Sequence, residues 1–414
     1  MNKTKLKGFF EIKHGFAFQS KNYVNKSKYI LVTLANISET NQFQEKETKR
    51  TYYGGDFPKE FILREGDLIM PLTEQVIGLL GNSAFIPKNE DGIFVLNQRV
   101  GKVVVNEERT DKYFLHYLLS TDSVKKQLEY RASGTKQRNI SPDDVYDVTV
   151  LLPDLTNQKK IGHLLYKIEN KIDVNNKINK ELEQTAKDLY NYWFVQFDFP
   201  DENKRPYKSN NGKMVYNDIL KKEIPYGWNV KNLLDVVEWI GGSQPPKSTF
   251  INKPKDGYVR FIQNRDYAGY KETTYIKESN ANKLCDIFDI MMDKYGDAGK
   301  VRYGLAGAYN VALSKIKVNI ENGQEYIRKF FESKQIHDYL FNACIASTRA
   351  SLNEDIIGNL YIPIPPKNIL CSFEKQMKKY LTTILNNNNQ NKYLTDLRDK
   401  LLPLLMNGQV KVLD

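Results

Sequence analysis

The chain has 414 residues, with 61 Lys and Arg against 50 Asp and Glu, a formal charge of +11 and an isoelectric point near 9.1. That length predicts two or more domains, and 41% hydrophobic residues exclude wholesale disorder. Three cysteines (Cys285, Cys344, Cys371), none in a CxxC, exclude a disulfide scaffold and argue against structural zinc. No apolar run approaches the roughly 20 residues that span a bilayer. The opening MNKTKLKGFFEIKHG has charges with no apolar stretch behind them, so no signal peptide is expected. The expectation is a soluble cytoplasmic protein whose basic balance suits a nucleic-acid partner.

In chain order, YILVTLANI (29–37) and FVLNQRVGKVVV (94–105) alternate or carry branched residues and predict strands. YFLHYLLSTDSVKKQLEY (113–130) predicts a helix. A seam spaced by four and three then runs through Ile161, Leu165, Ile168, Ile172, Asn175, Asn179, Leu182, Ala186, Leu189 and Trp193. This is the pattern of a long helix with a narrow coiled-coil stripe, about 50 Å if fully helical. Residues 197–217 are rich in Pro, Asn, Lys and Gly and read as a linker. YVRFIQ (258–263) predicts a strand and YIRKFFESKQIHDYLFNA (326–343) a helix. The seam then returns as Phe373, Met377, Tyr380, Ile384, Asn387, Asn391, Leu394, Arg398, Leu401 and Leu405, each 212 positions after its counterpart (161 to 373). The Asn386–Asn389 run falls inside this second helix.

The flanks repeat as well. VTVLLPDL (148–155) matches LYIPIPPK (360–367), VLNQRVGKVVVN (95–106) matches AYNVALSKIKVN (308–319), and DLIM (67–70) matches DIMM (289–292). Gly15 pairs with either Gly241 or Gly242. A duplicated unit follows, in the order domain, helix, domain, helix. The expected fold class is α+β: two similar mixed α/β globular domains separated by two long helices packed as an antiparallel coiled coil, with pseudo-twofold symmetry and seam asparagines fixing the register. The alternative is two helices each packed on its own domain. Expected boundaries are 1–153, 154–196, 197–224, 225–366 and 367–414.

Catalytic and metal motifs are not found. YGDAGKV (295–301) lacks the first glycine and the hydroxyl residue of a phosphate loop. No GxGxxG after a strand, HExxH, GxSxG or Asn/Asp-Pro-Pro-aromatic string occurs. Pro153-Asp154 with Glu169 and Lys171 fits a loose nuclease pattern, but Glu169 and Lys171 lie on the polar faces of the long helix. No catalytic residue and no metal site is assigned, and a binding or assembly subunit is expected.

Local clusters point to DNA. RASGTKQRNI (131–140) gathers three cations, a glycine and amide donors, and its counterpart is ASTRASL (346–352). Candidate contacts in the first copy are Gln19, Ser20, Lys21, Thr73, Asn97, Gln98, Arg99, Thr135, Lys136, Gln137 and Arg138. In the second they are Ser243, Gln244, Lys247, Asn264, Arg265, Lys294, Tyr295, Lys300, Thr348 and Arg349.

The whole chain resembles a specificity (S) subunit of type I restriction–modification systems. The resemblance rests on GFAF-QS-Y (Gly15 to Tyr23), EGDLIM (65–70), SGT-QRNIS (133–141) leading into LLPDLTNQKKIG (151–162), WFVQFDFP (193–200) and KEIPYGW (222–228), in that order and with the repeat. It implies two target recognition domains, each reading half of a split double-stranded DNA sequence. The paired helices would be spacers and the dock for two methylation (M) subunits. S-adenosylmethionine, ATP and Mg chemistry would reside in M and restriction (R) subunits. The second copy departs from the first at Ala350 and Ser351, which stand where the first has Gln137 to Asn139, and Arg398 interrupts the apolar seam and suggests a frayed or partner-facing end. The alternative function is a non-catalytic helical scaffold for a protein assembly without base-specific reading.

Overall fold

The apolar run Leu68–Pro71 is buried at every position, as a central strand requires. In the computed structural model it pairs antiparallel with Val100–Val105, which pairs in turn with Phe10–His14, while Ala84–Phe85 closes the other edge. A second sheet orders Tyr23–Val24, Tyr52–Tyr53, Tyr29–Val32 and Ile93–Leu96, with the last two parallel. Ile30, Val32, Ile69, Phe94, Leu96 and Val100 pack in one apolar cluster. Asn2–Lys5 pairs with Thr149–Leu152. The structure describes all residues except 1, 46–48, 75–77, 135–136, 270–271, 347–350 and 414, and the side chain of Asn2.

The chain divides into two compact units, Met1–Asn175 with Gln390–Asp414, and Asn176–Asn389. The second unit repeats the topology of the first. Val237–Gly241, Leu313–Val318, Ile290–Asp293 and Val301–Arg302 form the antiparallel sheet. Tyr258–Ile262 and Gly307–Tyr309 form the parallel pair, flanked by Thr274–Lys277 and Leu284–Cys285. Asn229–Asn232 pairs with Tyr361–Ile364.

The helices expected over 113–130 and 326–343 are each broken in two, as Lys112–Leu119 with Asp122–Arg131 and Gln324–Glu332 with Lys334–Ala346. The cause is the same in both. The hydroxyl of Thr121 donates to Leu118 O at 2.8 Å, and that of Ser333 to Phe330 O at 2.7 Å, drawing carbonyls away from the helix ladder.

Two long helices, Leu155–Tyr190 and Lys367–Met406, contribute to both units. In the first unit Ile161 and Leu165 share a core with Leu405 and Met406, and Asn175 Nδ2 donates to Asn391 Oδ1 at 2.8 Å. In the second, Asn179 exchanges amide bonds with Asn387 and Asn388 at 2.8 and 2.9 Å, while Tyr190 and Trp193 meet Phe373. Rising numbers on one helix meet falling numbers on the other in each unit, so the segments pair antiparallel. The alternative, each helix lying on its own domain alone, does not describe them. Of the seam residues, Ile161, Leu165, Ile168, Ile172, Asn175, Asn179, Phe373, Met377 and Ile384 are buried. Leu182, Leu189, Tyr380, Asn387, Asn391, Leu394 and Leu401 are half-buried.

The stretch read as a linker is ordered. Phe197 and Phe199 are buried in the core with Trp228, and Phe199 stacks on Tyr207 at 4.7 Å. Met214–Asn217 and Lys222–Pro225 form a hairpin. Its turn-forming composition concealed the aromatic anchors that hold it down.

Candidate nucleic-acid interface

The loops at one end of the first unit's sheets are tied by backbone bonds. Phe16 N donates to Leu96 O at 2.9 Å and Gln98 N to Phe16 O at 3.0 Å. Leu72 N donates to Arg99 O at 3.0 Å, and Ile140 N to Leu72 O at 3.0 Å. Segments 15–23, 72–74, 97–99 and 137–139, scattered in sequence, therefore converge. Gly15 makes this possible: a Cβ there would lie 2.1 Å from the Asn97 carbonyl oxygen.

The second unit repeats this lattice. Ser243 N donates to Tyr309 O, Lys294 N to Ala312 O, and Leu352 N to Lys294 O, at 3.1, 2.9 and 3.1 Å. A Cβ on Gly242 would lie 2.0 Å from the Asn310 carbonyl, which identifies Gly242 rather than Gly241 as the counterpart of Gly15. By the same equivalence Asn310 stands for Asn97 and Ala312 for Arg99. The Gln263–Asp266 turn stands for Thr33–Asn36, and both are closed by a side-chain oxygen accepting from the turn's first N–H at 2.8 Å. The NQR and QNR strings thus occupy different places on the two units.

Among the sequence candidates, Gln19, Ser20, Lys21, Gln98 and Arg99 are exposed in the first unit, and Gln244, Lys247, Arg265, Tyr295 and Lys300 in the second. Gln137, Ser243, Asn264 and Lys294 are half-buried. Lys300 pairs with Asp297 at 2.8 Å. Three candidates face inward instead. Thr73 is buried, its hydroxyl donating to Asn139 Oδ1 at 2.9 Å. Asn97 is buried and accepts from Arg99 N at 3.3 Å, holding its own turn. Arg138 pairs with the buried carboxylate of Glu74. Thr135, Lys136, Thr348 and Arg349 lie outside the described residues. Glu74 was not singled out by sequence, and Asn139 entered only as an amide of the 131–140 cluster; the pairing of Thr73–Glu74 with Arg138–Asn139 sets the four side by side.

The nuclease-like pattern dissolves. Asp154 caps the first long helix, accepting from Asn157 N at 2.9 Å, and that bond holds its carboxyl below the usual range. Glu169 lies fifteen residues along the same helix, about 22 Å away. It is buried and accepts from the Tyr117 hydroxyl at 2.6 Å, with Arg398 Nη1 at 3.4 Å and His116 Nε2 at 3.7 Å. Burial pushes the carboxyl up, but His116, Tyr117 and Arg398 outweigh it and hold Glu169 below its ordinary value. Burial also keeps the Tyr117 phenol far above its usual value, so it remains a donor. Arg398 is therefore the inward partner of a buried carboxylate, not a frayed end. Among the described residues no cluster of three His, Cys, Asp or Glu could hold a metal ion.

Comparison with known proteins agrees with this arrangement. The family model described as Type I restriction modification DNA specificity domain matches residues 1–184 and 225–396. The type I restriction enzyme MjaIX specificity subunit of Methanocaldococcus jannaschii is 27% identical over 326 residues, covering 76% of this chain and 73% of that protein. The HindI specificity subunit of Haemophilus influenzae is 25% identical over 415 residues, covering 84% and 87%. The crystal structure of the type I restriction–modification S subunit from M. genitalium superposes with a TM-score of 0.67 at 15% identity, covering 98% of this chain and 96% of that one. The likeness to that structure is one of fold.

Proposed function

The chain belongs to the type I restriction modification DNA specificity family, and we propose from that premise that it is the specificity subunit of a type I restriction–modification complex. It reads a bipartite double-stranded DNA target through its two repeated domains and docks methylation and restriction subunits. The observation that carries this is the repeated lattice in which Gly15 and Gly242 let polar loops converge beside Asn97 and Asn310. Two equivalent loop clusters with different side chains, Arg99 in one and Ala312 in the other, are what two different half-sites require.

In this reading residues 1–153 and 225–366 are the recognition domains. The exposed Gln19–Lys21, Gln98 and Arg99 contact DNA in one half-site, and Gln244, Lys247 and Arg265 in the other. The chain itself is non-catalytic and works in the cytoplasm. Two methylation subunits supply S-adenosylmethionine chemistry, and restriction subunits supply the ATP- and Mg-dependent step. Exchanging residues 1–153 for the same domain of another family member should change one half of the methylated motif and leave the other intact. Alteration of both halves sinks the assignment. Equal affinity of the assembled complex for random and cognate duplexes at one fixed salt concentration favours a scaffold without base reading.

A further inference from the structure

We propose that Asn139 is a base-reading residue of the first domain, and that its side chain is locked to present only hydrogen-bond donors. This rests on the DNA-specificity reading above. Arg138–Asn139 pairs antiparallel with Thr73–Glu74, Asn139 opposite Thr73 and Arg138 opposite Glu74. Asn139 and Ser133 exchange reciprocal backbone bonds, at 2.8 and 3.0 Å. Gly134 adopts φ +108°, and the Gln137 carbonyl oxygen lies 2.1 Å from where its Cβ would be, so position 134 requires glycine.

The strand is braced from beneath. Glu74 is 1% exposed. One carboxylate oxygen accepts the N–H groups of Gly78, Leu79 and Leu80 at 3.2, 2.9 and 3.0 Å, and the other holds Arg138. Glu74 is thus a positioning residue that cannot itself reach a base.

Asn139, by contrast, is exposed. Its Oδ1 accepts from the Thr73 hydroxyl at 2.9 Å and from Gln137 Nε2 at 3.3 Å. Both lone pairs of that oxygen are therefore engaged within the protein. The Nδ2 group has no partner among the described residues and carries two free donors. An asparagine with both ends free suits adenine, pairing with N6 and N7 together. With its acceptor occupied, Asn139 matches acceptor edges, guanine O6 and N7 or thymine O4, and rejects cytosine, whose major-groove edge offers a donor.

The test uses the full chain co-expressed with its methylation and restriction subunits, with the methylated motif mapped genome-wide and the complex's melting followed in parallel. Asn139→Asp keeps an acceptor for Thr73 and Gln137 but turns the outward group into an acceptor. It should lower methylation of sites carrying the cognate base at that position of one half-site roughly ten- to hundredfold, admit cytosine there, and leave the base preferences of the other half-site unchanged. Thr73→Val removes the hydroxyl that fixes the amide, and should broaden that same position with melting preserved. An unchanged motif in Asn139→Asp, or a loss spread evenly over all positions, overturns the inference. A wild-type complex with no bipartite methylated motif overturns the underlying reading instead, so the two failures are distinguishable.

Discussion

Glu169 anchors a buried network of Tyr117, His116 and Arg398 in the folded first unit. A carboxylate held below its unfolded value contributes stability that is present above that unfolded value, near pH 4.5, and lost as pH falls through the folded one. Glu169→Gln should destabilise the first unit by about 2 kcal/mol at pH 7. The difference from wild type should shrink on acidification from pH 5 towards pH 3, measured by urea unfolding. A difference constant across that window would show that the charge is not what the network holds.

At the scale of an element, the long helices combine an apolar stripe with a polar layer. Asn175 is fully buried, its Nδ2 donates to Gln390 and Asn391 at 2.8 Å, and its Oδ1 has no partner among the described residues. A buried acceptor left unpaired costs about 1–3 kcal/mol. Such a layer lowers stability and fixes register. Replacing Asn175 and Asn391 together by leucine should raise the thermal midpoint by several degrees. It should also yield mixed species on size-exclusion chromatography, since the apolar pair tolerates other registers. A lowered midpoint would mean that the amides are net stabilising. The broken helices make a related point: 113–130 and 326–343 have helical periodicity throughout, but hydroxyls at each break, of Ser120 and Thr121 in one and Ser333 in the other, capture carbonyls and end the first segment.

At the scale of the molecule, duplication reaches individual contacts. Asp67 pairs with Lys102 at 2.7 Å, and its counterpart Asp289 with Lys315 at 3.1 Å, on matching strands. The interiors nevertheless diverge. Ile30 of the first unit's apolar core is replaced by Arg260, and Pro71 by Asp293, which pairs with Arg302 at 2.9 Å and whose carboxyl is pushed up by burial. Equivalent glycines should have equivalent but separate effects. Gly15→Ala and Gly242→Ala each force a Cβ onto a carbonyl and should cost their own unit about 1–3 kcal/mol. Each should degrade one half of the methylated motif, a different half for each variant. Loss of both halves from either substitution would contradict independent readers.

The sequence by itself determined the duplication, the two seams with their asparagines, the mixed α/β units and the family resemblance. These are periodic or local patterns, and a period survives in one dimension. The tertiary structure decided which glycine matches Gly15, that Thr73, Asn97 and Arg138 face inward, that residues 197–224 are anchored by aromatic side chains, and that the buried Glu74 lies beside Arg138 and the exposed Asn139 beside Thr73. Those facts depend on strand partners distant in sequence, Thr73 beside Asn139 above all. Side-chain exposure and hydrogen-bond polarity are set by such neighbours, and no spacing along the chain encodes them.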